Sequence, residues 1–260
     1  MRIGHDGGLP FELRLEKSHG QTIMPHSDFT IESLAAHLHL TPQQVIRLAD
    51  RDKLPGRKVG GKWVFSRADI HHWFEDRIGL SDEGELVEVE GVLGRSASTG
   101  ADHEIAVAEL LLPEAIAVPL AARTQGSVIR GMVDMVAQTG MLWDPEKMIE
   151  AISAREKMHP TALGNGVALL HPRRPMASIL GQPLVALGIT PSGIPFGGGR
   201  GMLTDIFFLI CSIDDRGHLQ ALARLSRMIT ASGVLDELRA APDSPTAHRL
   251  IVEADRDLSN

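Results

Sequence analysis

Three short, almost unbroken apolar runs punctuate the second half of this chain: Gly166–Leu170, Leu184–Ile189 and Asp205–Ser212. Runs of that length, bounded by turn-forming residues, are strand signals. Around them the apolar residues recur at helical spacing. Val128, Met132 and Val136 share one face of a helix expected over Gln125–Gln138. Asp144 caps a second helix over Pro145–Arg155, and Leu219, Leu222, Leu225 and Ile229 form the stripe of a third. Strands mixed with helices in this way make residues 105–241 a mixed α/β domain.

The rest of the chain follows other rules. Residues 1–27 have little periodicity and several glycines, and a loosely ordered leader is expected there. Met24, just ahead of the first structured pattern, is a candidate start of translation. Residues 28–78 are compact and helical. Thr30 caps a helix with Ile31, Leu34, Ala35 and Leu38 on one face. Thr41-Pro42-Gln43-Gln44 opens a second helix with Pro at its first position and Gln at its third, and Val45, Leu48 and Ala49 form its apolar side. Arg57–Phe65 reads as two strands around a Gly60-Gly61 turn, and Ser66 caps a helix through Trp73 and Phe74. An acidic, then Ser/Gly-rich stretch over 79–104 reads as a linker, with an edge strand over Glu85–Glu90 as the alternative. Residues 242–260 are polar, and a fraying tail is expected.

Composition removes several function classes. At 260 residues, 43% apolar and 23% charged, the chain can bury an ordinary globular core. A lone cysteine, Cys211, excludes a disulfide framework and a multi-cysteine zinc site; its apolar neighbours make it a buried small hydrophobe. The longest apolar runs, Ala115–Ala122 and Ile206–Ile213, are far short of the ~20 residues a membrane-spanning helix needs. With no secretory leader pattern, a cytoplasmic protein is expected. Twelve histidines invite a metal, but neither a His-Glu-x-x-His pattern nor a Cys/His cluster occurs. No metal and no cofactor is called for. Gly193–Gly201 is a candidate phosphate-cradling loop or a mobile connector. It lacks the Lys-Ser/Thr ending of a nucleotide-binding loop, so nucleotide binding is rejected.

Net charge is −7, yet Arg47–Arg67 holds seven basic residues against Asp50 and Asp52. A basic patch focused within an acidic chain suits a phosphate backbone. Gln43, Gln44, Arg47 and Arg51 project from one helix with the reach to read base edges, and Lys58 and Lys62 sit on the hairpin. Two short helices followed by a β-hairpin describe a winged helix-turn-helix. The other reading is a protein-docking domain with a solvated basic face. His71 and His72, beside Trp73, read as packing or surface residues. The stretch FTIESLAAHLHLTPQQVIRLADRDKLPGRKVGGKWVFSRADIHHWF resembles the excisionase/MerR-like DNA-binding module. That resemblance implies that Thr41–Arg51 is the recognition helix and Arg57–Phe65 the wing. Helix-turn-helix proteins often pair to read two half-sites, so a homodimer is one option, and the sequence leaves the oligomeric state open.

His171 closes the apolar run Val167–Leu170 and precedes Pro172, where the chain must turn. Imidazole is a nucleophile near neutral pH, and phosphoryl transfer needs a nucleophile in line plus donors for the equatorial oxygens. Arg155, Arg173 and the amides of the Gly-rich approach are candidate donors. The stretch AREKMHPTALGNGVALLHPR resembles the signature of phosphotransferase-system enzyme IIA domains of the fructose/mannitol/nitrogen-regulatory class. Arg155, Glu156, Thr161, Gly164, Gly166, Ala168 and His171 match it; Ala162 and Leu170 stand where the family has Gly and Pro. DIFFLICSIDDRGHLQALARLSRMI resembles the family's second conserved segment and puts His218 at its second active-site histidine.

The resemblance implies a mixed β-sheet flanked by helices. It implies His171 as the phosphorylated residue, His218 and Arg155 as its partners, and Thr161, Gly164, Gly166 and Arg173 around the phosphate. It also implies the histidine phosphocarrier protein as phosphoryl donor. The expected function is thus a phosphohistidine carrier or sensor coupled to DNA binding, a phosphotransferase-type protein if it turns over. Two alternatives stand: a non-catalytic sensor or docking domain on a DNA-binding regulator, and a phosphoryl donor to a sugar permease.

Overall fold

A computed structural model describes residues 28–38, 40–67, 69–70, 72–73, 105–197 and 201–258. The calls on the leader, the linker, His71, Phe74 and Gly198–Arg200 lie outside the described residues.

The N-terminal module is built as its caps dictate. Helices α1 (Ile31–His37) and α2 (Pro42–Asp50) each begin with a capping box, Thr30 with Ser33 and Thr41 with Gln44. Strands β1 (Arg57–Val59) and β2 (Lys62–Val64) pair antiparallel across Gly60 and Gly61. Both glycines have positive φ, +57° and +79°, which a two-residue turn of this hand requires. Leu34, Ala35, Leu38, Val45, Ala49, Leu54, Phe65 and Ile70 form the core of this module. Phe29 and Phe65 exchange backbone hydrogen bonds and tie its first residue to the end of the hairpin.

The second domain is a four-stranded mixed sheet with helices on both faces. Its elements are α3 (Val107–Leu110), β3 (Leu111–Ala117), α4 (Gln125–Gln138), α5 (Pro145–Met158), β4 (Val167–Leu170), β5 (Leu184–Pro195), β6 (Leu203–Cys211), α6 (Asp215–Thr230), α7 (Val234–Ala240) and α8 (Ser244–Asp257). Strand order is β3-β5-β6-β4. β3 runs parallel to β5, β4 parallel to β6, and β5 antiparallel to β6. The unbroken apolar runs are explained by burial on both faces. Val167, Leu169, Val185, Leu187, Ile206 and Phe208 share one core with Leu219, Leu222 and Ile251. Their alternates Ala168, Leu170, Ala186, Phe207, Leu209 and Cys211 share the other core with Val128, Met132, Met148 and Ile152.

Two sequence expectations need correction. The tail does not fray: Ser244–Asp257 is a helix capped by Asp243, with Ala247, Ile251 and Asp255 buried. Asp255 forms a buried ion pair with Arg224 of α6, 2.7 Å, and accepts from the Ala108 amide, 3.0 Å. Arg224 also donates to the Asp255 carbonyl, 2.8 Å. The Ser244 hydroxyl donates to the Ile116 carbonyl at 3.0 Å. Within Gly193–Gly201, Gly193 to Pro195 belong to β5 rather than to a loop, and Ile194 and Phe196 are buried.

Candidate functional site

Adjacent parallel strands end at the same edge of a sheet. β4 and β6 are such neighbours, with Leu170 opposite Leu209, so the residues that follow them meet. His171 follows β4 directly. Ser212 follows β6, and Asp214 caps α6 by accepting from the Gly217 amide at 2.8 Å. That places His218 in the first turn of α6, and its ring centroid lies 5.0 Å from that of His171, tilted by 60°. Both residues are buried, 3% and 1% exposed.

The hydrogen bonds fix one ring by chemistry. His171 Nδ1 lies 2.8 Å from the Leu169 carbonyl. A carbonyl only accepts, so Nδ1 carries a proton, and in the neutral ring the lone pair sits on Nε2. His218 Nδ1 lies 3.1 Å from Ser212 Oγ.

The C-terminal turn of α5 forms a second wall. Arg155 and Glu156 are both buried there. Arg155 Nη1 donates to the His159 carbonyl, which closes the helix. Glu156 accepts from the Thr161 amide at 3.2 Å and from the Thr161 hydroxyl. The Thr161 carbonyl accepts in turn from Leu169 N at 3.3 Å. A chain of contacts thus runs from Glu156 through Thr161 and Leu169 to His171. Burial pushes the Glu156 carboxyl above its ordinary 4.5, against the Thr161 hydrogen bonds and the charge of Arg155. The sequence matched Glu156 without giving it a role; a carboxylate five residues before a threonine carries little signal until the helix ends between them.

The glycines belong elsewhere. Residues 161–163 run antiparallel to β4, with Ala162 opposite Ala168 and the Leu163 amide donating to Val167 at 2.7 Å. Gly164–Gly166 is the turn of that hairpin, at the opposite end of β4 from His171. Four strand residues separate the ends, about 13 Å, so the expectation of Gly164 and Gly166 as phosphate cradle is corrected. Gly166 has φ +88°, and a Cβ there would come within 2.7 Å of Arg239. Arg239 of α7 braces this turn through Asp205, 2.9 Å, and the Asn165 carbonyl, 2.7 Å. Thr161 does come to the site, with its hydroxyl on Glu156. Arg173 is exposed two residues beyond His171.

In the N-terminal module Gln43, Arg47 and Arg51 follow one another at four-residue spacing and are exposed. Gln44 is placed differently: its Oε1 accepts from the Thr41 amide, 2.7 Å, and hydroxyl, 2.9 Å, as a cap. Lys58 pairs with Asp50 at 3.7 Å and lies 4.8 Å over the Trp63 ring; Lys62 is exposed on the same hairpin. His72 meets the second domain, its ring 4.5 Å from that of His159, the residue whose carbonyl holds Arg155.

Among the described residues no cluster of three or more His, Cys, Asp or Glu is placed to hold a metal ion. No described helix is long and apolar enough to cross a membrane.

A helix-flanked mixed sheet with a buried histidine pair at its edge, attached to a helix-turn-helix, defines a two-module protein of phosphocarrier or regulatory class. Residues 109–254, more than half the chain, match the family model described as phosphoenolpyruvate-dependent sugar phosphotransferase system, EIIA 2, and the chain belongs to that family. Residues 29–78 match a helix-turn-helix domain. The nitrogen regulatory protein of Pseudomonas aeruginosa is 26% identical over 151 residues, 57% of this chain and 96% of that protein. The fructose-specific EIIABC component of the phosphotransferase system of Bacillus subtilis is 28% identical over 152 residues, 58% of this chain but only 24% of its own length. The crystal structure of nitrogen regulatory protein IIA-Ntr from Neisseria meningitidis is 18% identical, covering 56% of this chain and 98% of that one with a TM-score of 0.49.

Proposed function

We propose that this chain is a phosphotransferase-system regulator: His171 accepts a phosphoryl group from the histidine phosphocarrier protein, and residues 28–78 bind DNA. The observation that carries the first half is the contact of His171 Nδ1 with the Leu169 carbonyl, which leaves the nucleophilic lone pair on Nε2. In the transfer, Nε2 attacks phosphorus and the P–N bond of the donor's phosphohistidine breaks. The bonding pair returns to the donor imidazole as a new P–N bond forms on His171. His218 in the first turn of α6 and the helix's N-terminal amides favour the added negative charge. Arg155, held against His159, adds fixed positive charge at the end of α5. Arg173 supplies a cation on the solvent side.

DNA reading is assigned to Gln43, Arg47 and Arg51, with Lys58 and Lys62 on the backbone as a wing. Gln44 serves the helix cap. Two half-sites call for a homodimer on DNA. A phosphoryl group adds about −1.5 to −2 charges, and the His72–His159 contact is the route by which that charge reaches the DNA-binding module.

The test is incubation with phosphoenolpyruvate, the general phosphotransferase enzyme and the histidine phosphocarrier. An acid-labile mass gain of one phosphoryl group is expected, lost in His171→Ala. Altered DNA affinity of the labelled protein is the second expectation. One observation favours a second reading, a non-catalytic sensor: both histidines are almost fully buried, which hinders a protein donor. No mass gain, with cognate partners active on a control, and unchanged DNA control in His171→Ala, selects that reading.

A further inference from the structure

Ser212 stands where the two histidine segments cross. Its residue is buried, and its Oγ lies 3.1 Å from His218 Nδ1. Its carbonyl accepts from the Met176 amide at 3.0 Å, in the segment that follows His171. Among the described residues, His218 Nδ1 is the only acceptor that the Ser212 hydroxyl reaches. A buried hydroxyl proton left without an acceptor is costly, so Oγ–H donates and Nδ1 accepts.

We propose that Ser212 is a positioning residue of the phosphoryl site: its hydroxyl holds neutral His218 in the tautomer that carries its proton on Nε2. The two rings then adopt opposite tautomers for opposite tasks. The Leu169 carbonyl puts the His171 proton on Nδ1 and frees Nε2 as nucleophile. The Ser212 hydroxyl does the reverse to His218 and makes its Nε2–H a donor. Phosphoryl oxygens only accept, so the uncharged His218 ring is matched to them without first taking up a proton. The purpose of this arrangement rests on the reading of His171 as phosphoacceptor; its geometry does not.

The test is a pair of measurements on the full chain. Nitrogen-15 NMR of labelled histidine side chains, with no donor present, reads the tautomers directly. Neutral His218 is expected with its proton on Nε2 and neutral His171 with its proton on Nδ1. In Ser212→Ala, His218 shifts towards a mixture and phosphoryl uptake slows about tenfold, the scale of one hydrogen bond at a reacting group. Ser212→Thr, which keeps the hydroxyl, restores both. A wild-type His218 protonated on Nδ1, or a Ser212→Ala variant with unchanged tautomer and unchanged uptake, overturns the proposal. Wild-type protein that takes up no phosphoryl group defeats the phosphoacceptor reading instead, and the tautomer measurement still decides the role of Ser212.

Discussion

Replacing Thr161 with Val tests the chain of contacts that holds His171. The substitution keeps the β-branched shape and deletes the hydroxyl that donates to Glu156. The Thr161 amide still donates, at 3.2 Å, so Glu156 loses one of its two donors inside a site where it is 4% exposed. When Glu156 is ionised, a lost hydrogen bond to a charged group costs about 2 kcal/mol; when it is protonated, about 1 kcal/mol. The sign of the pH dependence follows from linkage. The folded-state pKa of Glu156 lies above 4.5, raised by burial. Stability from this group is therefore fully present below the unfolded value and is lost as pH rises through the folded value. Deleting a hydrogen bond that lowers that pKa raises it further and deepens the loss at neutral pH. Urea denaturation of both proteins at pH 4 and pH 7.5 measures the difference. Expected is a destabilisation of about 2 kcal/mol at pH 7.5 that shrinks to about 1 kcal/mol at pH 4. An equal or larger effect at pH 4 refutes the reasoning, because Glu156 would then not carry the charge that the hydroxyl stabilises.

Three further outcomes are expected. Asp255→Ala strands Arg224 in the core, 2% exposed, and should cost about 3–5 kcal/mol by denaturant melt; a cost below about 1 kcal/mol would mean that α8 is not docked in solution. Cys211 is buried with its thiol pushed up to about 12, so native protein at pH 8 should resist alkylation while urea-unfolded protein reacts at once. Lys58→Ala and Lys62→Ala should each weaken DNA binding across sequences and lower the salt slope by about 1, whereas Arg47→Ala should relax sequence preference; uniform loss in all three would remove Arg47 from base reading.

Much of the molecule was written in local pattern. Capping boxes at Thr30 and Thr41, the Gly60-Gly61 turn and the bounds of α4 follow from neighbouring residues alone. So does burial of Val167–Leu170 and Ile206–Cys211, since a strand covered on both faces has no polar alternates. The terminal helix α8 was misread because its polar face dominates and its docking depends on Arg224 and Ser244 contacts more than a hundred residues from β3 or thirty-one from α6. The glycine motif was legible as residues but not as a place. Its resemblance to a phosphate loop gave way once the antiparallel pairing of 161–163 with β4 put the turn at the far end of the strand.

By itself, then, the sequence determined two modules and those elements that caps, turns and apolar spacing mark over a few residues, while the pair of histidines was legible through the family resemblance. Tertiary structure alone decided that His171 and His218 face each other at the shared edge of β4 and β6. It also put Glu156 behind Thr161, Ser212 on His218, and Gly164 and Gly166 away from the site. Such contacts depend on strand order and on where helices end, and neither is fixed until distant segments pack.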